Sequence, residues 1–336
     1  MAFLRRTLLI AGLAGATLAA PVAAQPPPPA PQPQPTAAGD FPARPIRFVV
    51  PFGPGSGTDT SARYFGRKLQ ELTGQPVIVD NKPGGNGFIA VRQVLSAPAD
   101  GYTVFIGSNS TLAVNVALFK KLPYDPATDF APLSMMMRAP AVLVVPATSP
   151  YATLAELTAA ARAQPGKLNY GSGSAGYQLM AEMFNDMAGV DTRQVPFRSA
   201  ADALTAVASG TVDLSFADIT AALELVKGGK VRALAVAAER RAGALPAVPT
   251  TAEAGLPGYG ASVWVAATVA ARTPQPVTDR LAALFAQIER LPETREFYAR
   301  LGAETLQGGA EELRTLQADD IAQWKRIAIK AKIEQE

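Results

Sequence analysis

Arg44-Pro-Ile-Arg-Phe-Val-Val-Pro-Phe-Gly-Pro-Gly-Ser-Gly-Thr-Asp59 carries an apolar strand straight into a glycine-rich turn that opens a helix. Ile46, Phe48, Val49 and Val50 form a near-continuous apolar run, the pattern of a strand covered on both faces in an open α/β sheet. Gly53, Gly55 and Gly57 are expected to supply φ > 0 and close backbone approach to a ligand, and Thr58 and Asp59 to supply helix-start chemistry. Ala62, Phe65, Leu69 and Leu72 follow at helical spacing, and Gly74 ends the helix. Such a helix start presents unpaired N–H groups and a partial positive charge, so it can hold a carboxylate or phosphate without Lys or Arg. A phosphate-binding P-loop would close with Gly-Lys-Ser/Thr, whereas this loop closes with Gly57-Thr58-Asp59.

Outward from this junction, the N-terminal side reads as a leader. Arg5-Arg6, an apolar run from Leu8 to Ala20 and Val22-Ala23-Ala24 match a basic region, an apolar core and a small-residue cleavage site. Cleavage is expected near Ala24, with delivery to the periplasm; the apolar run is shorter than the ~20 residues that span a bilayer. Residues 25–40 are rich in Pro, Gln and Ala and read as a linker with too little apolar area to fold. Without residues 1–24 the chain has 29 basic and 28 acidic residues, so no global field favours nucleic acid or anionic lipid. There are no cysteines and no histidines. That excludes disulfides, thiol nucleophiles, imidazole bases and Cys/His metal sites, and with them a Ser-His-Asp triad.

On the C-terminal side, strands and helices alternate in the βαβ manner, which predicts a largely parallel sheet. Strands are expected at 76–80, 102–107, within 135–145, and at 167–170, 193–197, 212–216, 231–237 and 262–270. Two further polar loops follow strands. Ser108-Asn109-Ser110-Thr111 precedes a helical run and reads either as a ligand-facing cluster or as plain N-capping. Gly171-Ser-Gly-Ser-Ala-Gly176 precedes a helix from Tyr177 to Ala188 and matches Gly-x-Gly-x-x-Gly literally. A dinucleotide reading of that loop needs an acid at the end of the next strand. Asp191, the candidate by spacing, precedes that strand instead. In open α/β sheets ligands sit outside the carboxyl ends of strands, so the glycine loops are expected to face one another across a cleft. Trp264 and Trp324 are expected to pack in the core or on the surface.

These landmarks together resemble the periplasmic receptors of tripartite tricarboxylate transporters, the Bug receptors. The likeness is carried by Pro45-Ile-Arg-Phe-Val-Val-Pro-Phe52 with Gly-Ser-Gly-Thr-Asp59, Asn81-Lys-Pro-Gly-Gly85, Tyr124-Asp-Pro-Ala-Thr-Asp-Phe-Ala-Pro132, Gly171-Ser-Gly173, Lys230-Val-Arg-Ala-Leu-Ala235 and Val248-Pro-Thr-Thr-Ala-Glu-Ala-Gly-Leu256. It implies an α/β, two-domain periplasmic-binding-protein (flytrap) architecture, type II-like, with mostly parallel sheets flanked by helices. One domain would hold 41–138 and 261–336, the other 139–260. It further implies a non-enzymatic, monomeric receptor without cofactor or nucleic acid. Such a receptor captures a small carboxylate (a di- or tricarboxylate, an aromatic acid or an acidic amino acid) and passes it to the membrane components of a transporter, or presents it to a sensor kinase.

Carried over, Phe52, Gly53, Ser56, Gly57, Thr58 and Asp59 would hold the carboxylate from the first domain, with Ser108, Asn109 and Ser110 beside them. Ser172, Ser174, Ala175, Gly176 and Tyr177 would close on it from the second domain, joined by Arg198 and Asp218. The sequence departs from the family pattern at Gln178, where a His is common, and at Arg198-Ser199, where Lys-Gly is frequent. Two readings stand for Asp59: a structural group in the first helical turn, or the partner of a ligand amine. Asp218 carries the same two readings. The rival from another class is an oxidoreductase that uses Gly171–Gly176 for a dinucleotide.

Overall fold

The computed structural model describes residues 41–335, and the expected leader and Pro-rich linker lie outside the described residues. Strand β1 (Ile46–Val50) sits between β2 (Val77–Asn81) and β3 (Thr103–Ser108), parallel to both. Its side chains alternate faces as a strand must. Ile46, Phe48 and Val50 enter a core with Phe65 and Leu69 of α1 (Gly57–Thr73) and with Leu281 and Phe285 of α8 (Gln275–Arg290). Val49 enters the opposite core with Val91 and Val94 of α2 (Phe88–Ser96), Phe105 and Trp264. Phe285 lies 5.6 Å from the Phe65 ring and 5.8 Å from the Phe48 ring. Each such fully buried aromatic contributes about 1.5–3 kcal/mol by leaving water.

A second block repeats the pattern. Strand β5 (Asn169–Ser172) pairs in parallel with β6 (Arg193–Pro196) and β7 (Leu214–Asp218). Helices α5 (Ala175–Ala188), α6 (Ala200–Ala208) and α7 (Ile219–Lys227) flank it, and α4 (Leu154–Ala163) precedes it behind a capping box. Thr153 Oγ1 accepts from the Glu156 N–H at 3.2 Å, and Glu156 Oε2 from the Thr153 N–H at 3.3 Å.

Two strands cross between the blocks. The 17-residue β4 (Phe130–Pro146) pairs with β9 (Ser262–Ala270) up to Pro140, then with β7 and with β8 (Val231–Val236) from Ala141 onward. The sheet order is β2-β1-β3-β9-β4-β7-β5-β6, with β8 and the short β10 (Glu304–Thr305) also on β4. Parallel pairing therefore holds within each block, but β4, which carries the chain from the first block to the second, and β9, which carries it back, run antiparallel to their neighbours. Helices α3 (Asn115–Leu118), α9 (Pro292–Arg300) and α10 (Ala310–Lys330) complete the described residues. Helix α10 straps the blocks together: Leu313 enters a core of the first, Trp324 and Ala328 the core of the second.

Candidate functional site

The β1–α1 junction forms as its residues require. Ser56, with φ −70° and ψ 156°, caps α1 by accepting the Asp59 N–H at 3.2 Å. The Gly57 and Thr58 N–H groups have no acceptor among the described residues. Of the three loop glycines only Gly55 has a positive φ, +83°. Gly53 and Gly57 serve close approach instead: a Cβ on Gly53 would lie 3.1 Å from Ser199 Oγ, and one on Gly57 2.7 Å from Asp218 Oδ1 and 2.8 Å from Thr220 Oγ1. The first block thus rests its helix start directly against the second.

The second block approaches in kind. Gly173 packs its Cα against the Ser199–Ala200 backbone, and Gly176 leaves room for Ser110. Ser110 Oγ lies 3.0 Å from Ser174 Oγ and accepts the Gly176 N–H at 3.1 Å. The glycines of the Gly-x-Gly-x-x-Gly loop thereby admit other parts of this chain, in the space a dinucleotide's pyrophosphate would need.

Between these surfaces lies a chamber of about 10 Å³, room for roughly one water. Phe52, Ser56, Gly57, Thr58, Ser108, Ser110, Ser174 and Tyr177 line it, together with Ala200 and Val263, which sequence reasoning missed. Six of the ten lining residues carry hydroxyls, and none is a carboxylate or a cation. Tyr177 keeps its proton: burial, and then the neighbouring Asp218 carboxylate, push its pKa far above the ordinary value. Its hydroxyl donates to Asp218 Oδ2 at 2.7 Å.

The remaining expected residues hold the chamber's walls. Asp218 caps α7, accepting the Ala221 N–H at 3.1 Å and the Thr220 hydroxyl. Asp59 accepts from the Gly55 N–H, Arg63 and Asn81 at 2.9–3.0 Å, tying the loop to β2. Asn109 donates to the Ser262 carbonyl at 3.2 Å, Ser172 accepts from Gln194 at 2.7 Å, and Ala175 is core. Arg198 is exposed on a neighbouring vestibule of about 290 Å³, which shares Phe52 with the chamber and runs between Gly84–Gly87 and Pro196–Arg198. It has no carboxylate within ion-pair distance among the described residues. Gly84–Gly87 went unread as a site. Its signal was present in Pro-Gly-Gly-Asn-Gly, because four consecutive positive φ values (117°, 53°, 49°, 89°) demand such a composition.

The profile of the Tripartite tricarboxylate transporter family receptor matches residues 61–333. A "UPF0065 protein in tcbD-tcbE intergenic region" of Pseudomonas sp. (strain P51) is 36% identical over 296 residues, covering 87% of this chain and 88% of that one. Among solved structures, Rpa4515 of R. palustris with adipate shares 34% identity at a TM-score of 0.86, over 88% of this chain and 100% of that one. MatC (Rpa3494) of Rhodopseudomonas palustris with bound malate shares 31% at 0.81, over 85% and 99%.

Proposed function

Since the chain belongs to the tripartite tricarboxylate transporter receptor family, whose members are periplasmic solute-binding receptors, we propose that it captures a small dicarboxylate in the cleft between its two blocks and hands it to the membrane components of such a transporter. In this reading 41–138 with 261–336 form one lobe and 139–260 the other, and the leader ending near Ala24 exports the chain. One carboxylate enters the hydroxyl and N–H chamber. The chain of the ligand passes Phe52 into the vestibule, and its second carboxylate meets Arg198.

The observation that carries this reading is a chamber lined by hydroxyls and a helix start, with Phe52 as a wall shared with a vestibule that holds one unpaired guanidinium. Asp59 and Asp218 count against an amino-acid ligand, because each carboxylate is already engaged by several donors of the chain. The close packing at Gly173 and Gly176 counts against a dinucleotide. A small hydrophilic acid needs no cofactor here, and the reading assigns no catalytic residue.

Calorimetry with malate, adipate, hexanoate and glutamate tests it. A dicarboxylate should bind most tightly. Arg198→Gln should weaken that binding by about tenfold or more, the worth of a hydrogen bond to a charged group, and leave hexanoate unchanged. An equal loss for hexanoate would contradict the assignment of Arg198, and glutamate binding more tightly than malate and adipate would contradict the case against an amino-acid ligand. A pull-down from membranes distinguishes a transporter from a sensor kinase as the partner.

A further inference from the structure

Strand β9 has two faces, and the chamber uses only one. Val263 faces the chamber, while its neighbours Ser262 and Trp264 face a separate groove of about 790 Å³ behind the crossing strands. Arg138 and Pro140 of β4, the segment 237–242 and α10 complete its walls. A groove of this size falls in the range of small-molecule sites.

One donor here lacks a partner: the Nε–H of Arg138, shut off from water, finds no acceptor among the described residues. The Trp324 indole, 3% exposed, lies beside the Asp320 carboxylate. The charges of the groove are also unsatisfied by one another. Arg240 and Glu239 on one wall and Glu304, Asp319 and Asp320 on the other form no ion pair within 4.0 Å among the described residues, while Arg241, also on the first wall, pairs with Glu253 at 2.7 Å. Asp320 Oδ2 does accept from the Trp264 indole at 2.9 Å. Unpaired donors suit a carboxylate, and the excess of acids suits a cation beside it.

We propose that this groove is a second binding site, for a basic amino acid: its carboxylate meets Arg138 and Arg240, and its cationic groups meet Asp319, Asp320 and Glu304. Because Val263 and Trp264 are successive residues of one crossing strand, occupancy of the groove bears on the strand that walls the chamber. The site does not depend on the carboxylate reading of the chamber.

The chain has two tryptophans, and both wall the groove, so intrinsic fluorescence reports on it. Titration with L-arginine should give a saturable change in emission, with weaker binding of agmatine, which lacks the carboxylate. Asp320→Asn should weaken both about tenfold or more while preserving the acceptor for Trp264. The exposed Arg240→Gln, which no folding argument complicates, should weaken L-arginine several-fold and leave agmatine unchanged. No saturable change with L-arginine at millimolar concentration, or equal loss of both ligands in Arg240→Gln, would overturn the proposal.

Discussion

Gly57 is the residue on which the cleft turns, because it is the first residue of α1 and its Cα faces Asp218 and Thr220 of the other block. In Gly57→Asp a Cβ would lie 2.7 Å from Asp218 Oδ1, and the new carboxylate would oppose both Asp218 and a ligand carboxylate. Carboxylate affinity should fall by about tenfold to several hundredfold, from one lost charge-assisted hydrogen bond plus repulsion. The fold should survive, since Gly57 has no left-handed φ and an acid in a first helical turn is favourable. Calorimetry beside circular dichroism measures both. Unchanged affinity in a folded variant would remove the Phe52–Asp59 loop from the site. Residue types alone announced this loop, but they misassigned its glycines: conformational need and close approach leave the same letter in a sequence, and only the partner surface separates them.

At the scale of elements, α8 is stapled to β4 by a buried acid. Glu289 is 4% exposed and bonds to the Ser134 hydroxyl, and burial pushes its carboxyl from 4.5 up to about 7. The folded state therefore holds this proton more tightly than the unfolded chain. Its contribution is fully present below about pH 4.5 and is lost as pH rises through about 7, an effect on the order of 3 kcal/mol. Glu289→Gln keeps a hydrogen-bonding amide and loses the titration. The parent-minus-variant difference in melting temperature should change across pH 4.5–7 and be flat above it, with the variant the more stable at pH 8. A difference independent of pH would contradict the assignment. Elements like α1 and α5 were legible because periodicity and glycine stops are local signals. The antiparallel crossing of β4 and β9 was not, since a strand's letters record burial on its faces but not the direction of its neighbours. Val263 was hidden for the same reason: it reads as one more core residue of a strand.

For the whole molecule, the question is how the two blocks move. The spans β4, β9 and α10 join them; across the cleft they meet through Ser110 with Ser174 and Gly176, Gly53 with Ser199, and Gly57 with Asp218 and Thr220, and Ile219 and Leu223 of α7 pack in the first block's core. A chamber with room for one water admits no dicarboxylate until those contacts part. Entry then requires hinge motion about the crossing strands, and each block supplies only part of the donors a carboxylate needs. The most direct measurement is small-angle X-ray scattering of the parent protein, alone and saturated with whichever carboxylate calorimetry shows to bind. The bound form should have the smaller radius of gyration, approaching that of the structure described above. An identical radius with and without a bound carboxylate would contradict capture between two closing blocks.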